Sequence, residues 1–347
     1  MLNGLSVAGS ELPEVMEGGS VGGWSVGAAR PLEFLRPVPR TLVHRAAMTE
    51  VFLTDAVKVG DDAFLVAAQW PRDHSLYHPD LSGRTDPLLF AETIRQALVY
   101  LAHEYYDVPL GHRFVAYDLD FQITDASALR VAGAPHAVVL EARCATVGHR
   151  PPRRHGLRME VVLTVDGEVC GRGGFRFVAV DERVYRALRA RNSVPGDHVA
   201  PASAGTGGSA TSVSAEAVGR LRGKDCVLER MEPGGEWRMR VDTDHAILFD
   251  HPSDHLPLMV AMEGFRQLGH LLTHDDPSGG LGQAPAAPHT LVSCAVTCHL
   301  FAELNLPVSL AVRDDRRMAG ARRLRVDAVQ CGRVIAGSTM VWAEPLP

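Results

Sequence analysis

Long apolar runs are missing from this 347-residue chain. No stretch reaches the roughly 18 to 20 consecutive apolar residues that cross a bilayer. The opening MLNGLSVAGSELPEVMEGG has no basic segment ahead of an apolar one, so no secretory leader is expected. Positive charge is also scarce. Lys+Arg 35 against Asp+Glu 41 give a net charge of −6, which argues against a general nucleic-acid binder, and lysine itself occurs only at Lys58 and Lys224. The six cysteines form no CxxC pair and no zinc spacing. Cys294 and Cys298, in the strand-like LVSCAVTCHL, point the same way and are read as packed thiols of a soluble, cytoplasmic protein. There is no GxxxxGK[ST], no GxGxxG after a strand and no GxSxG. Nucleotide-dependent and α/β-hydrolase chemistry therefore lack support, and neither a cofactor nor a metal is expected.

What the chain does have is apolar material, 46% of its residues, enough for two cores rather than one. Gly- and Pro-rich residues 1–40 read as a mobile N-terminal arm. Residues 191–216, almost pure Gly, Ala, Ser, Pro and Thr, read as a flexible linker between domains at 41–190 and 217–347. DDPSGGLGQAPAAPH, from Asp275 to His289, reads as a long surface loop.

The two parts repeat each other. DPLLFAETIRQALVYLAH (Asp86 to His103) and LPLMVAMEGFRQLGHLLTH (Leu256 to His274) are helical and apolar on nearly all sides. Both contain Glu-x-x-Arg-Gln: Glu92, Arg95, Gln96 and Glu263, Arg266, Gln267. Upstream, LYHPD matches LFDHPSD; downstream, VDGEVCGRGGFRFVAV matches VQCGRVIAGSTMVWAE as a closing hairpin. Each half reads as a strand, one enclosed helix and a run of long strands, GDDAFLVAAQW, HRFVAYDLDFQI, AVVLEARCATV, LRMEVVLTVDG and EVCGRGGFRFVAV in the first. A curved antiparallel sheet wrapped around one helix is the hot-dog architecture, so the expected fold is α+β, with two tandem hot-dog domains paired within one chain.

Chemistry concentrates around these helices. At i and i+3 the Glu and Arg of each motif share a face, and in so apolar a helix such charges are costly unless paired or used. The motif is either a salt bridge or part of a site. Histidines gather just before each helix: His74 and His78, then His245, His251 and His255. Each is either a hydrogen-bonded structural residue or a member of an acid–base site. The helix N-terminus beside them offers free N–H groups and a positive dipole for a thioester carbonyl or oxyanion. A two-His-plus-Glu metal site matches no trusted spacing. Basic clusters at Arg150–Arg158, Arg183–Asn192 and Arg313–Arg325 are solvated surface, a carrier-protein dock or a phosphate site, which spacing does not separate.

VHRAAMTEVFLTD, QWPRDHSLY, DPLLFAETIRQA, VPLGHRF and LFDHPSDHLPLMVAMEGFRQ resemble the A-factor synthase family of duplicated hot-dog proteins over roughly Val43 to Ala343. The resemblance implies an acyltransferase in the biosynthesis of γ-butyrolactone-type signalling molecules. It would move a β-ketoacyl group from an acyl carrier protein or coenzyme A thioester to a hydroxyl of dihydroxyacetone phosphate. Carried over by motif, the family's Glu-x-x-Arg falls on Glu92/Arg95 and Glu263/Arg266, and its Asp-His on Asp254-His255. The expected roles are Glu263, through His255, as base, with Glu92 as the other catalytic carboxylate. Arg266, Arg95, His78, His251 and His74 are the expected substrate-binding residues. Where relatives commonly carry Gly in a VPGM-like turn, this chain has Leu258, which is expected to narrow the entrance. A 3-hydroxyacyl dehydratase or thioesterase is the alternative enzyme, and an acyl-binding regulatory module the alternative without turnover. Further homodimerisation is left open.

Overall fold

The computed structural model describes residues 30–192, 209–233, 235–274 and 289–344. Residues 1–29 of the expected arm, 193–208 of the expected linker and 275–288 of the expected loop lie outside the described residues. From Arg30 onward the chain is held to the first half: Arg30 ion-pairs with Asp55, and the Val38 N–H donates to the Leu53 carbonyl at 2.9 Å.

Three helices of more than two turns occur among the described residues: α1 (Leu88–Tyr105), α2 (Glu182–Asn192) and α3 (Leu258–His274). Helix α1 starts where Asp86 and Pro87 supply a stop to the preceding loop, and its first amide, Leu88 N–H, donates to Asp86 Oδ1 at 2.9 Å. Leu88, Phe90, Ala91, Ile94, Ala97, Leu98 and Leu101 are all fully buried, so α1 is enclosed on every side rather than lying on a surface. Helix α3 is enclosed in the same way by Val260, Met262, Phe265 and Leu268. Each such side chain contributes about 1.5–3 kcal/mol through burial. Helix α2 follows the first half directly, is mostly polar, and buries only Tyr185.

The strands that enclose these helices are β1 (Leu53–Gly60), β2 (Ala63–Trp70), β3 (Arg113–Ile123), β4 (His136–Thr146), β5 (Arg154–Val165) and β6 (Glu168–Val180), then β7 (Ser209–Ser212), β8 (Leu228–Glu232), β9 (Glu236–Met239), β10 (Thr290–Cys298), β11 (Val308–Met318), β12 (Ala321–Gln330) and β13 (Arg333–Ala343). They form a single antiparallel sheet in the order β1-β2-β4-β5-β6-β3-β10-β13-β12-β11-β9-β8-β7. Read outward from its centre in either direction, the order is the same. β3, β6, β5, β4, β2 and β1 correspond to β10, β13, β12, β11, β9 and β8, with β7 added at one edge. The halves join where β3 and β10 pair, from Ser293 opposite Gln122 to Thr297 opposite Asp118. Each half is a curved sheet around one helix, and the pair is a double hot-dog. The sequence reading left out β1 and did not foresee α2. β1 (LTDAVKVG) is interrupted by Asp55 and Lys58, which break its alternation.

Candidate active site

Each half carries the same buried polar network. In the first, the Arg45 Nε donates to Glu92 Oε1 at 3.1 Å and its Nη2 lies 2.6 Å away. Gln96 donates to Glu92 Oε1 at 2.7 Å and accepts from Phe52 N–H. His74 accepts the N–H groups of Leu76 and Tyr77 on Nδ1, with Nε2 3.3 Å from Glu50. In the second half, Arg220 grips both oxygens of Glu263 at 2.8 and 2.5 Å, and Gln267 donates to Glu263 and accepts from Val227 N–H. His245 accepts from Ile247 and Leu248 N–H and lies 3.1 Å from Asp225. The side chains of Glu92 and Glu263 are 1% and 0% exposed, which leaves neither carboxylate open to a substrate. Burial, the largest effect on Glu92, pushes its pKa up, but the Arg45 and Arg95 charges outweigh it and hold it at about 2.

The arginines belong to a second repeat, Val43-His44-Arg45 and Val218-Gly219-Arg220, each followed five residues on by an acid, Glu50 or Asp225. Both turns place the middle residue in the left-handed region (His44 φ 53°, Gly219 φ 62°), and this turn brings the arginine inward. Sequence reasoning missed Arg45 and Arg220, although this Val-x-Arg-x4-acid repeat marks them.

Between the halves lies a groove of about 690 Å³. The first half contributes His44, Arg45, Arg95, Val99, His112, Arg113, Phe114, Phe175 and Phe177. The second contributes Leu248, His251, Asp254, His255, Leu258 and Met259, and Tyr185 of α2 closes one side. Its walls combine apolar and aromatic side chains with a cationic end.

At that groove Asp254 accepts from the Tyr185 hydroxyl at 2.7 and 2.9 Å, and His255 Nδ1 lies 2.8 Å from Asp254 Oδ1. The bond from His255, then that from Tyr185, keeps the Asp254 carboxyl well below the ordinary carboxylate range despite burial. An Nδ1–H held by a carboxylate leaves Nε2 with its lone pair, and the His255 side chain is 25% exposed. Phe301 packs edge-on against the imidazole at 5.0 Å and fixes its plane. From the first half, Arg95 holds Glu92 through Nε and Nη2 at 2.9 and 2.8 Å and donates to the Val43 carbonyl. Its Nη1 has no partner among the described residues. The N–H groups of Leu258 and Met259, the first two residues of α3, have none either.

Of the residues expected from sequence, the structure brings Arg95, His251 and His255 to the groove. Glu92, Glu263 and His74 are turned into the buried networks instead. Glu263 shares no hydrogen bond with His255, so the expected relay between them has no path in this structure. Arg266 donates to the carbonyls of Val218 and Gly219, and His78 Nδ1 lies 2.9 Å from the Pro79 carbonyl oxygen, both away from the groove. His251 is half-exposed; burial, then the Arg95 and Arg45 charges, lowers its pKa. Tyr185 and His44 were not foreseen, since each approaches from a distant part of the chain. Among the described residues no group of three or more His, Cys, Asp or Glu is placed to hold a metal. No helix among them is long and apolar enough to cross a membrane.

A sheet continuous across two enclosed helices, with an Asp–His pair in the groove at their junction, defines a double hot-dog protein. The chain belongs to the A-factor biosynthesis hotdog domain family, whose model matches residues 27–181 and 202–343. It is 38% identical over 270 residues to a 2-oxo-3-(phosphooxy)propyl 3-oxoalkanoate synthase of Streptomyces virginiae, covering 78% of this chain and 85% of that one. Proteins of the same name from Streptomyces coelicolor and Streptomyces griseus are 33% and 32% identical, covering 70% and 74% of this chain and 74% and 81% of theirs.

Proposed function

We propose that this protein transfers a 3-oxoacyl group from a thioester to the free hydroxyl of dihydroxyacetone phosphate, giving the 2-oxo-3-(phosphooxy)propyl 3-oxoalkanoate for which its relatives are named. The observation that carries the reading is the meeting of His255–Asp254 from one half with Arg95 from the other at a single groove. In this mechanism His255 Nε2 takes the proton of the hydroxyl, whose oxygen attacks the thioester carbon. Asp254, held by Tyr185, keeps the imidazole in the required tautomer and offsets the charge it gains. The tetrahedral adduct then collapses, the C–S bond breaks, and His255 returns its proton to the departing thiolate. Arg95 Nη1 and the free Leu258 and Met259 N–H groups at the positive end of α3 meet the negative charge of the phosphate and of the adduct. Val99, Phe114, Phe175, Phe177 and Leu248 give the acyl chain an apolar wall.

The groove's flank suits an anionic acyl carrier, whether an acyl carrier protein or coenzyme A. Exposed Arg150, Arg153, Arg183 and Arg186 stand next to the groove residues His112, Arg113 and Tyr185. β3 and β6 bring Arg113 opposite Val180, and Asp181 N–H donates to the Arg153 carbonyl at 3.1 Å. This local excess of positive charge contrasts with the net −6 of the chain.

The test is transfer from a 3-oxoacyl thioester to dihydroxyacetone phosphate, followed by mass spectrometry, with wild type and His255→Gln. Wild type is expected to give the phosphorylated ester only when the acceptor is present. His255→Gln is expected to lose at least about 100-fold in rate while keeping the wild-type melting temperature. Thiol release independent of acceptor would identify a thioesterase instead.

A further inference from the structure

The two enclosed helices begin differently. Counted back from the buried glutamates, Asp86-Pro87-Leu88 matches Pro257-Leu258-Met259. Asp86 is buried, and its carboxylate bridges a helix start and two guanidinium groups. Oδ1 accepts the Leu88 N–H at 2.9 Å; Oδ2 accepts from Arg220 Nη1 at 2.7 Å and lies 3.6 Å from Arg266 Nε. Arg266 is the counterpart of Arg95, and Leu88 the counterpart of Met259. Across the pseudo-twofold axis Pro257 brings no carboxylate to the helix start; Arg45, the counterpart of Arg220, has the buried Asp250 carboxylate 3.9 Å away instead, and the Met259 N–H and Arg95 Nη1 are without partners among the described residues.

A second replacement accompanies the first. The counterparts of the groove residues His44 and Val99 are Gly219 and His270. His270 packs directly on Gly219, where an added Cβ would come within 2.5 Å of its Nε2. The space beside α3, at the start of α1, that corresponds to the groove is thus occupied by the protein's own carboxylate and imidazole.

We propose that the chain has one working groove and one closed counterpart, and that Asp86 stands in the closed one for the acceptor's phosphate. In the working groove that phosphate bridges the Met259 N–H and Arg95, as the Asp86 carboxylate bridges the Leu88 N–H and Arg266. A phosphate at a helix N-terminus beside a guanidinium is well matched in charge and donors. The inference rests on the acyl-transfer reading only for the identity of the acceptor.

Calorimetric titration with dihydroxyacetone phosphate, without any thioester, tests it. Wild type should bind one molecule per chain. Pro257→Asp should fill the working groove with a carboxylate, weakening binding at least about 10-fold at an unchanged melting temperature. Asp86→Ala should melt lower than wild type and gain more from added inorganic phosphate than wild type does, because an anion then refills the emptied place. Two equivalent molecules per wild-type chain, wild-type binding by a folded Pro257→Asp, or no added phosphate response in Asp86→Ala would each overturn the proposal. Should Asp86→Ala not fold, the wild-type stoichiometry and Pro257→Asp decide it. The expected binding pattern without acyl transfer would overturn the transfer reading alone, and transfer by a folded Pro257→Asp at the wild-type rate would overturn this one alone.

Discussion

The Tyr185 hydroxyl donates to Asp254 at 2.7 Å, and through this bond α2, which trails the first half, orients the acid of the second. Arg189 of the same helix donates to both Glu303 oxygens at 2.9 Å and to the Asp254 carbonyl at 3.1 Å, so the helix is fastened on both sides of the pair. Loss of the Tyr185 hydroxyl would leave Asp254 with His255 but with less to fix its position. Tyr185→Phe is therefore expected to lower kcat about 10-fold with little change in KM for the acceptor, measured by steady-state transfer assays.

The burial and ion pairing of Glu92 and Glu263 point to a role in stability, which we propose for both. Removing one partner of a buried ion pair leaves the other charged and unpaired, at a cost of about 3–5 kcal/mol. Glu92→Gln and Glu263→Gln are both expected to destabilise by about that amount in urea denaturation, although only one half's arginine, Arg95, faces the groove. A Glu263→Gln protein as stable as wild type but without activity would restore Glu263 as a catalytic carboxylate.

Two half-buried histidines set a dependence on pH. Burial, then the nearby arginines Arg95 and Arg266, lowers His44 to about 3 and His270 to about 2, whereas the unfolded chain takes up these protons near 6.5. Between those values the unfolded state binds more protons, so stability is full above about 6.5 and falls with acidification. Each site is expected to contribute a loss on the order of 2 kcal/mol by pH 5. Melting temperatures from pH 7.5 to 5 should fall, and His44→Asn, which tolerates the left-handed backbone, should make the fall shallower.

Leu258, the first residue of α3, lines the groove. Leu258→Gly should widen that end and raise kcat/KM for branched or longer acyl donors several-fold relative to short ones. Competition between two donors in one reaction, read by mass spectrometry, gives the ratio directly; an unchanged ratio would place the acyl chain elsewhere in the groove.

The duplication, the enclosure of α1 and α3 and the hot-dog form were legible in the sequence because they depend on local regularities. An apolar helix with no polar face has to be wrapped, and Glu-x-x-Arg-Gln in both halves marks equivalent positions. The same regularities concealed the difference between the halves. Spacing places Glu92 and Arg95 on one face of a helix, and Glu263 and Arg266 likewise, but not what meets that face. Only the tertiary structure decided that Asp86, 134 residues from Arg220, reaches its guanidinium, while Pro257 leaves the opposite helix start open. It also decided that Tyr185 reaches Asp254 across 69 residues. A charge takes its role from whichever partner the folded chain brings to it, and for Asp86 and Asp254 those partners include side chains of the other half.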